Sequence, residues 1–265
     1  MRFIYVSRKM AARVVVAACL AVVSLAYLRA AWPVDPAARD AGAPVSAKAS
    51  GARQHPVYSV DRGKEKVLAI SFDAAWGAEK TQGIMDILDD YGIRTTFFLV
   101  GFWIDAYPEQ VAAIHDRGHE IGNHSTRHPR MTELSDAQMR EELNVTADKI
   151  EDITGVRPVL FRCPFGDYDN RVLLNASNLG YTTVQWDVDS LDWKEDGTAK
   201  MVKRVVEKVK PGSIVLFHNN SRDILEALPI ILNQIFADGY TVVPVSELLL
   251  SGDTKIDQLG IQRHR

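Results

Sequence analysis

From Lys66 onward, short apolar runs alternate with stretches whose apolar positions recur every three or four residues. Seven runs read as strands: Val67–Phe72, Thr95–Val100, His119–Gly122, Val159–Phe161, Thr182–Gln185, Ser213–Phe217 and Thr241–Val243. Between them lie helical patterns. Ile84, Ile87, Leu88 and Tyr91 follow i, i+3, i+4, i+7 spacing and predict a helix over roughly Glu79–Tyr91. Ser135 and Gln138 form a capping-box pattern, and Leu134 is placed to staple the entry. The helix they open carries Met139, Leu143, Ile150 and Ile153 on one face and ends at Gly155. A third covers about Asp223–Asp238 and stops at Gly239. Strand–helix alternation argues for a parallel sheet flanked by helices, an α/β fold. Seven such units suit a closed or nearly closed barrel better than an open two-sided sheet.

The first residues follow a different pattern. Arg2, Arg8, Lys9 and Arg13 precede the apolar run Val14–Leu28. Positive charge before a short apolar run predicts a signal peptide or a membrane anchor over 1–32. Val14–Leu28 falls short of the ~20 residues of a comfortable span, and no clean cleavage site follows it. An uncleaved anchor is the expectation, with cleavage its rival. Either places the remaining chain outside the cytoplasm. Residues 33–60, rich in Ala, Pro, Gly and Ser, read as a flexible tether. The globular domain is expected over 61–250, and the polar stretch 251–265 as a loose tail.

Composition narrows the function. The 265 residues are 46% hydrophobic and 25% charged, with a formal net charge of -3. No basic patch supports nucleic-acid binding. The cysteines are Cys19, inside the apolar run, and Cys163, so neither a disulfide nor a CxxC metal site is expected.

The polar punctuation falls where the strands end. His124 and His128, four residues apart after a short strand, can grip one divalent metal from a single segment. Other strand ends carry Asp73, Arg162, Asp189 and His218. In a parallel barrel these ends converge on one mouth. The combination suggests metal-assisted hydrolysis, with zinc on the two histidines. Asp73 would be the general base and Arg162 would orient it. His218 would stabilise the oxyanion or protonate the leaving nitrogen, and Asp189 would hold His218 charged. Trp76 and Trp193 are placed to stack on sugar rings.

Five ordered motifs carry a family likeness: Ser71–Ala74, His124–His128, Arg162–Gly166, Asp189–Trp193 and Leu216–His218. From about Lys66 to Leu250 the chain resembles the polysaccharide deacetylases of carbohydrate esterase family 4, the NodB homology domain. Within them it is most similar to the PdaB-like sporulation polysaccharide deacetylases. The resemblance implies a distorted (β/α)7 barrel that removes N-acetyl groups from peptidoglycan sugars, with a possible place in sporulation. It implies a zinc, cobalt or similar ion on His124 and His128, Asp73 as base, His218 as acid, and Arg162 and Asp189 as their supports. Trp193 and Leu216 match groove-wall positions, and Pro164, inside the third motif, joins the expected substrate-binding set. Expected partners are the cell-wall glycan and, through the N-terminal segment, the membrane; the protein is expected to be a monomer. The family's first motif usually carries a second, metal-ligating aspartate; here that position is Ala74, which cannot coordinate. This departure keeps open a non-catalytic glycan-binding or sporulation scaffold, and an O-acetyl esterase also remains open.

Overall fold

The computed structural model describes residues 53–265. The expected export segment, and the expected tether up to residue 52, lie outside the described residues. In chain order the first half runs β1 (Ser59–Val60), β2 (Val67–Ala74), α1 (Thr81–Asp90), β3 (Thr96–Leu99), α2 (Gly101–Ala106), α3 (Pro108–Asp116), β4 (Glu120–Asn123) and α4 (Asp136–Thr154). Then come β5 (Leu160–Phe161), α5 (Asn170–Asn178), β6 (Thr182–Thr183), β7 (Val188–Asp189), α6 (Thr198–Val206), β8 (Ile214–His218), α7 (Ile224–Ala237), β9 (Thr241–Val243), α8 (Val245–Leu248), β10 (Thr254–Ile256) and β11 (Ile261–His264).

Eight parallel strands form a curled sheet in the order β6-β5-β4-β3-β2-β8-β7, with β9 on the first half of β2. This is the expected distorted barrel, left open between β6 and β7. Its centre is β2, buried along its whole length. Side chains alternate across a strand. Leu68, Ile70, Phe72 and Ala74 therefore join one core cluster, with Ile84 and Leu88 of α1 and Ile231 and Ile235 of α7. Val67 and Ala69 join another, with Phe98, Leu160, Val184 and Ile214. Ser71 and Asp73 continue that second series. The period of two thus brings Asp73 to the carboxyl end of β2 on the barrel's inner face.

The capping box forms as expected: Ser135 and Gln138 exchange hydrogen bonds, and Gly155, left-handed at φ 73°, ends α4. Five helices escape the sequence pattern: α2, α3, α5, α6 and the four-residue α8. Two of them, α3 and α6, bury only two residues each, too few to print a periodic stripe.

Both expected domain boundaries move. Residues 57–60, expected in the tether, stitch the open side of the sheet. Val57 donates to the Thr183 carbonyl at 3.0 Å and accepts from the Gln185 amide at 2.7 Å. Val60 donates to the Gly212 carbonyl at 2.9 Å. Gly212 is required there, since its φ is 81° and a Cβ would lie 1.7 Å from the Val60 carbonyl oxygen. The expected loose tail instead forms β10 and β11, antiparallel to each other, with β11 parallel to β1. The side chain of Gln262 fastens this hairpin to Leu250, accepting from its amide at 2.8 Å. Polar, half-exposed strands of three and four residues carry no apolar run to mark them. Among the described residues no helix is long and apolar enough to cross a membrane.

Truncation after Leu250 removes the bonds from Tyr58 to Gly260, Asp61 to Gln262 and Leu250 to Gln262. At about 1 kcal/mol net for each, the loss is about 3 kcal/mol. A thermal melt of the truncated chain should fall by about 6–12 °C. An unchanged melt would show that the hairpin contributes nothing.

Candidate active site

Asp73, next to last in β2, faces Arg162, which follows β5. Arg162 is fully buried and Asp73 is 5% exposed. One guanidinium nitrogen of Arg162 donates to Asp73 Oδ1 at 2.7 Å. The other donates to Ser71 Oγ at 2.9 Å and to the Gln185 carbonyl at 3.2 Å. The ring of Phe98 lies 4.0 Å from the guanidinium carbon. Gly122, its neighbour on β4, leaves room for that ring: a Cβ there would sit 2.5 Å from it. Burial alone would raise the Asp73 pKa, but Arg162, His124 and His218 outweigh it and hold the carboxyl below its usual range.

His124 and His128 follow β4. Nδ1 of His124 lies 2.8 Å from the Arg162 carbonyl oxygen, which can only accept, so Nδ1 carries the proton. Nε2 is then the lone-pair nitrogen, and it sits 3.4 Å from Asp73 Oδ2. That lone pair is the one available to a metal, and the carboxylate beside it adds negative potential. The His128 ring packs edge-on to His124, with centroids 4.9 Å apart, and its Nδ1 is buried without a hydrogen-bond partner. Burial lowers the pKa of both rings, that of His128 to about 4, and so favours neutral imidazole, the ligand form. The donor set therefore fits a metal at two nitrogens. Among the described residues no group of three or more His, Cys, Asp or Glu is arranged to hold one. Ala74 is fully buried in the apolar cluster behind β2.

His218 ends β8 directly beside Asp73 in the sheet register. Its hydrogen-bond partner is Asp192, while the charge of the expected Asp189 adds a smaller push in the same direction, toward the protonated ring. Nδ1 of His218 lies 2.7 Å from Asp192 Oδ1, and its amide donates to Asp192 Oδ2 at 2.7 Å. The chain explains the exchange. Asp189 Oδ1 accepts the Leu191 amide at 2.8 Å, and left-handed Leu191 (φ 53°) swings Asp192 under the end of β8. Burial alone would lower the His218 pKa; the bond to Asp192 and its charge outweigh this and raise it.

The expected substrate-binding residues separate by exposure. Trp76 (56%) and Trp193 (59%) are open to solvent, whereas Leu216 is 3% exposed and Pro164 is buried. Phe165 was not anticipated. It is 60% exposed, holds a left-handed φ of 58°, and packs edge-on to His128 at 4.5 Å. Trp76 packs edge-on to the same ring at 5.1 Å. No sequence pattern announces a backbone outlier of this kind. Buried Cys163 has its thiol pKa pushed up by desolvation, which fits a bystander.

A parallel barrel with a carboxylate–arginine pair and three histidines at the carboxyl ends of its strands has the build of a hydrolase. The polysaccharide deacetylase profile matches residues 61–184. The chain is 30% identical over 210 residues to the peptidoglycan-N-acetylmuramic acid deacetylase PdaA of Bacillus subtilis, over 78% of this chain and 80% of that one. It is 34% identical over 194 residues to the uncharacterized protein YlxY of Bacillus subtilis, covering 73% of this chain but 60% of YlxY. Among solved structures, BA3943 of Bacillus anthracis, described as a CE4 family pseudoenzyme, matches with TM-score 0.68 at 33% identity, over 74% of this chain and 67% of that one. A BA3943 mutant is described as having restored enzymatic activity. The chain belongs to the polysaccharide deacetylase family.

Two outcomes follow from this geometry. Arg162→Met should cost about 3–5 kcal/mol by stranding a buried carboxylate, and Asp73→Asn in the same chain should recover part of that loss. Denaturant unfolding of the two single variants and the double variant checks it, and additive losses would contradict the pairing. His218 should titrate above 6.5 by NMR. Stability from its ion pair is then full below pH 6.5 and is lost as pH rises through the folded-state value. Asp192→Asn should bring the midpoint down and Asp189→Asn should move it little; the reverse order would restore Asp189 as the partner.

Proposed function

We propose that the domain removes N-acetyl groups from the amino sugars of peptidoglycan by metal-assisted hydrolysis, outside the cytoplasm. The observation that carries this reading is a buried carboxylate, held anionic by Arg162, beside two neutral imidazoles. A divalent ion, zinc or cobalt, on His124 and His128 would polarise the acetyl carbonyl and acidify water. Asp73 takes the proton from the attacking water. Arg162 keeps Asp73 in place and charged until then. As the tetrahedral adduct collapses, the C–N bond breaks and His218 gives its proton to the departing nitrogen. Products are acetate and a free amine. Asp192 holds His218 in the charged form this step needs. The exposed rings of Trp76, Phe165 and Trp193 offer faces for sugars. The name of PdaA supports an N-acetylmuramic acid substrate. The basic-then-apolar N-terminus supports delivery to the cell wall. The PdaB-like resemblance is what supports a sporulation role.

A second reading, a glycan-binding scaffold without catalysis, is favoured by Ala74 and by the likeness to BA3943, itself described as a pseudoenzyme. Acetate release from purified peptidoglycan separates the two. The full-length protein with added zinc should release acetate, chelator should stop it, and Asp73→Asn or His124→Ala should lower turnover by at least about a hundredfold. A folded protein inactive with every metal would favour the scaffold, and activity on acetylated xylan alone would favour an O-acetyl esterase. Ala74→Asp buries a carboxylate beside an apolar cluster, so without metal its melt should fall. Because position 74 packs in the cluster behind β2, zinc should raise that melt no more than it raises the wild type's; a larger zinc shift would show that position 74 does reach the ion.

A further inference from the structure

The turn that carries the two histidines is held in an unfavourable shape. Ser125 (φ 68°) and His128 (φ 57°) both occupy the left-handed region, where L side chains are disfavoured. Such outliers persist only where their surroundings over-determine them. Part of the constraint is local: Asn123 Oδ1 accepts the Ser125 amide at 2.8 Å, and Ser125 Oγ accepts the His128 amide at 3.1 Å. The rest comes from α4. Glu142, in the interior of that helix, is fully buried. Its Oε2 accepts the Thr126 amide and the Arg127 amide, each at 2.8 Å. Its Oε1 accepts Arg127 Nε at 2.6 Å. The Thr126 hydroxyl donates to the Glu142 carbonyl oxygen at 2.8 Å, and the Asn123 side chain donates to the Leu143 carbonyl oxygen at 2.8 Å. A carboxylate buried in a helix flank is costly unless its lone pairs are filled. Here two of them are filled by amides from the three residues that separate the histidines.

We infer that Glu142 is a positioning residue for the histidine pair: by accepting the Thr126 and Arg127 amides it fixes the left-handed turn at His128, and with it the spacing of the two imidazoles. The inference rests on the proposed role of that pair as metal ligands. What it requires of Glu142 is an acceptor oxygen at Oε2, not a charge. Arg127, whose side chain is 63% exposed, can release Oε1 to a different donor without moving the turn.

The test uses the full-length protein and three variants, with zinc ion titrated by calorimetry. Thermal melts and amide hydrogen exchange across 123–128 are recorded alongside. Glu142→Gln keeps an acceptor for both amides, and Arg127→Ala removes the side-chain donor to Oε1 while leaving both amides on Oε2; both should hold zinc within about fivefold of wild type. Glu142→Leu leaves two amides without an acceptor. It should bind zinc at least about tenfold more weakly, and Thr126 and Arg127 should exchange faster while the remainder of α4 exchanges as before. Rescue by Gln but not by Leu is a pattern that loss of general stability would not give. Wild-type zinc affinity and exchange in Glu142→Leu would overturn the inference, as would a Gln variant as weak as Leu. If Glu142→Leu does not fold, Glu142→Asp replaces it: one methylene shorter, it should lose zinc affinity and protection at 126–127, and wild-type values there would overturn the inference. If wild type takes up no zinc, the metal reading fails, and the exchange rates alone decide the role of Glu142.

Discussion

A guanidinium and a carboxylate sealed from solvent organise this protein. Arg162 and Asp73 come from strands that are not neighbours, and the contact between them exists only if the sheet curls. Once made, it constrains much of what surrounds it. Ser71 and the Gln185 carbonyl complete the guanidinium's bonds. Phe98 covers its face, and Gly122 is small because Phe98 needs the space. The backbone carbonyl of Arg162 fixes the tautomer of His124. One residue thus keeps the expected base anionic and also aims the lone pair of the first expected metal ligand. Removing either partner would leave the other as an uncompensated buried charge, which is a far larger penalty than the net worth of the pair.

The same dependence explains why a two-histidine arrangement is chemically sensible here. Burial keeps both imidazoles neutral, and the carboxylate beside Nε2 of His124 supplies negative potential without having to be a ligand. Ala74 removes an anionic donor, yet the backbone places that side chain in the apolar cluster behind β2. The similarity to a pseudoenzyme and to a muramic acid deacetylase at comparable identity means that family membership alone does not separate catalysis from binding. The chemistry of these few side chains must do so.

Much of this was legible in the sequence because it is written in short periods. Alternation along Val67–Ala74 brings Asp73 to the inner face, and the i, i+3 pair Ser135 and Gln138 marks the start of α4. The ends of apolar runs mark where His124, Arg162 and His218 emerge. What escaped depends on contacts distant in sequence or on unusual backbone. The β1–β11 pairing joins Ser59 to Ile261, and polar strands give no sign of it. Asp192 replaces Asp189 beside His218 because Leu191 turns left-handed, a conformation its residue type does not advertise. Phe165 reaches His128 through another such outlier. Glu142 gave no sign of its role, because its partners, 15 and 16 residues earlier, meet it only in the folded chain.

The measurement that bears most directly on this account is anomalous diffraction at the zinc edge from crystals of the protein grown with zinc. One strong peak should lie within bonding distance of both His124 and His128, with Asp73 still paired to Arg162. Zinc bound elsewhere, or a vacant histidine pair at saturating zinc, would contradict it.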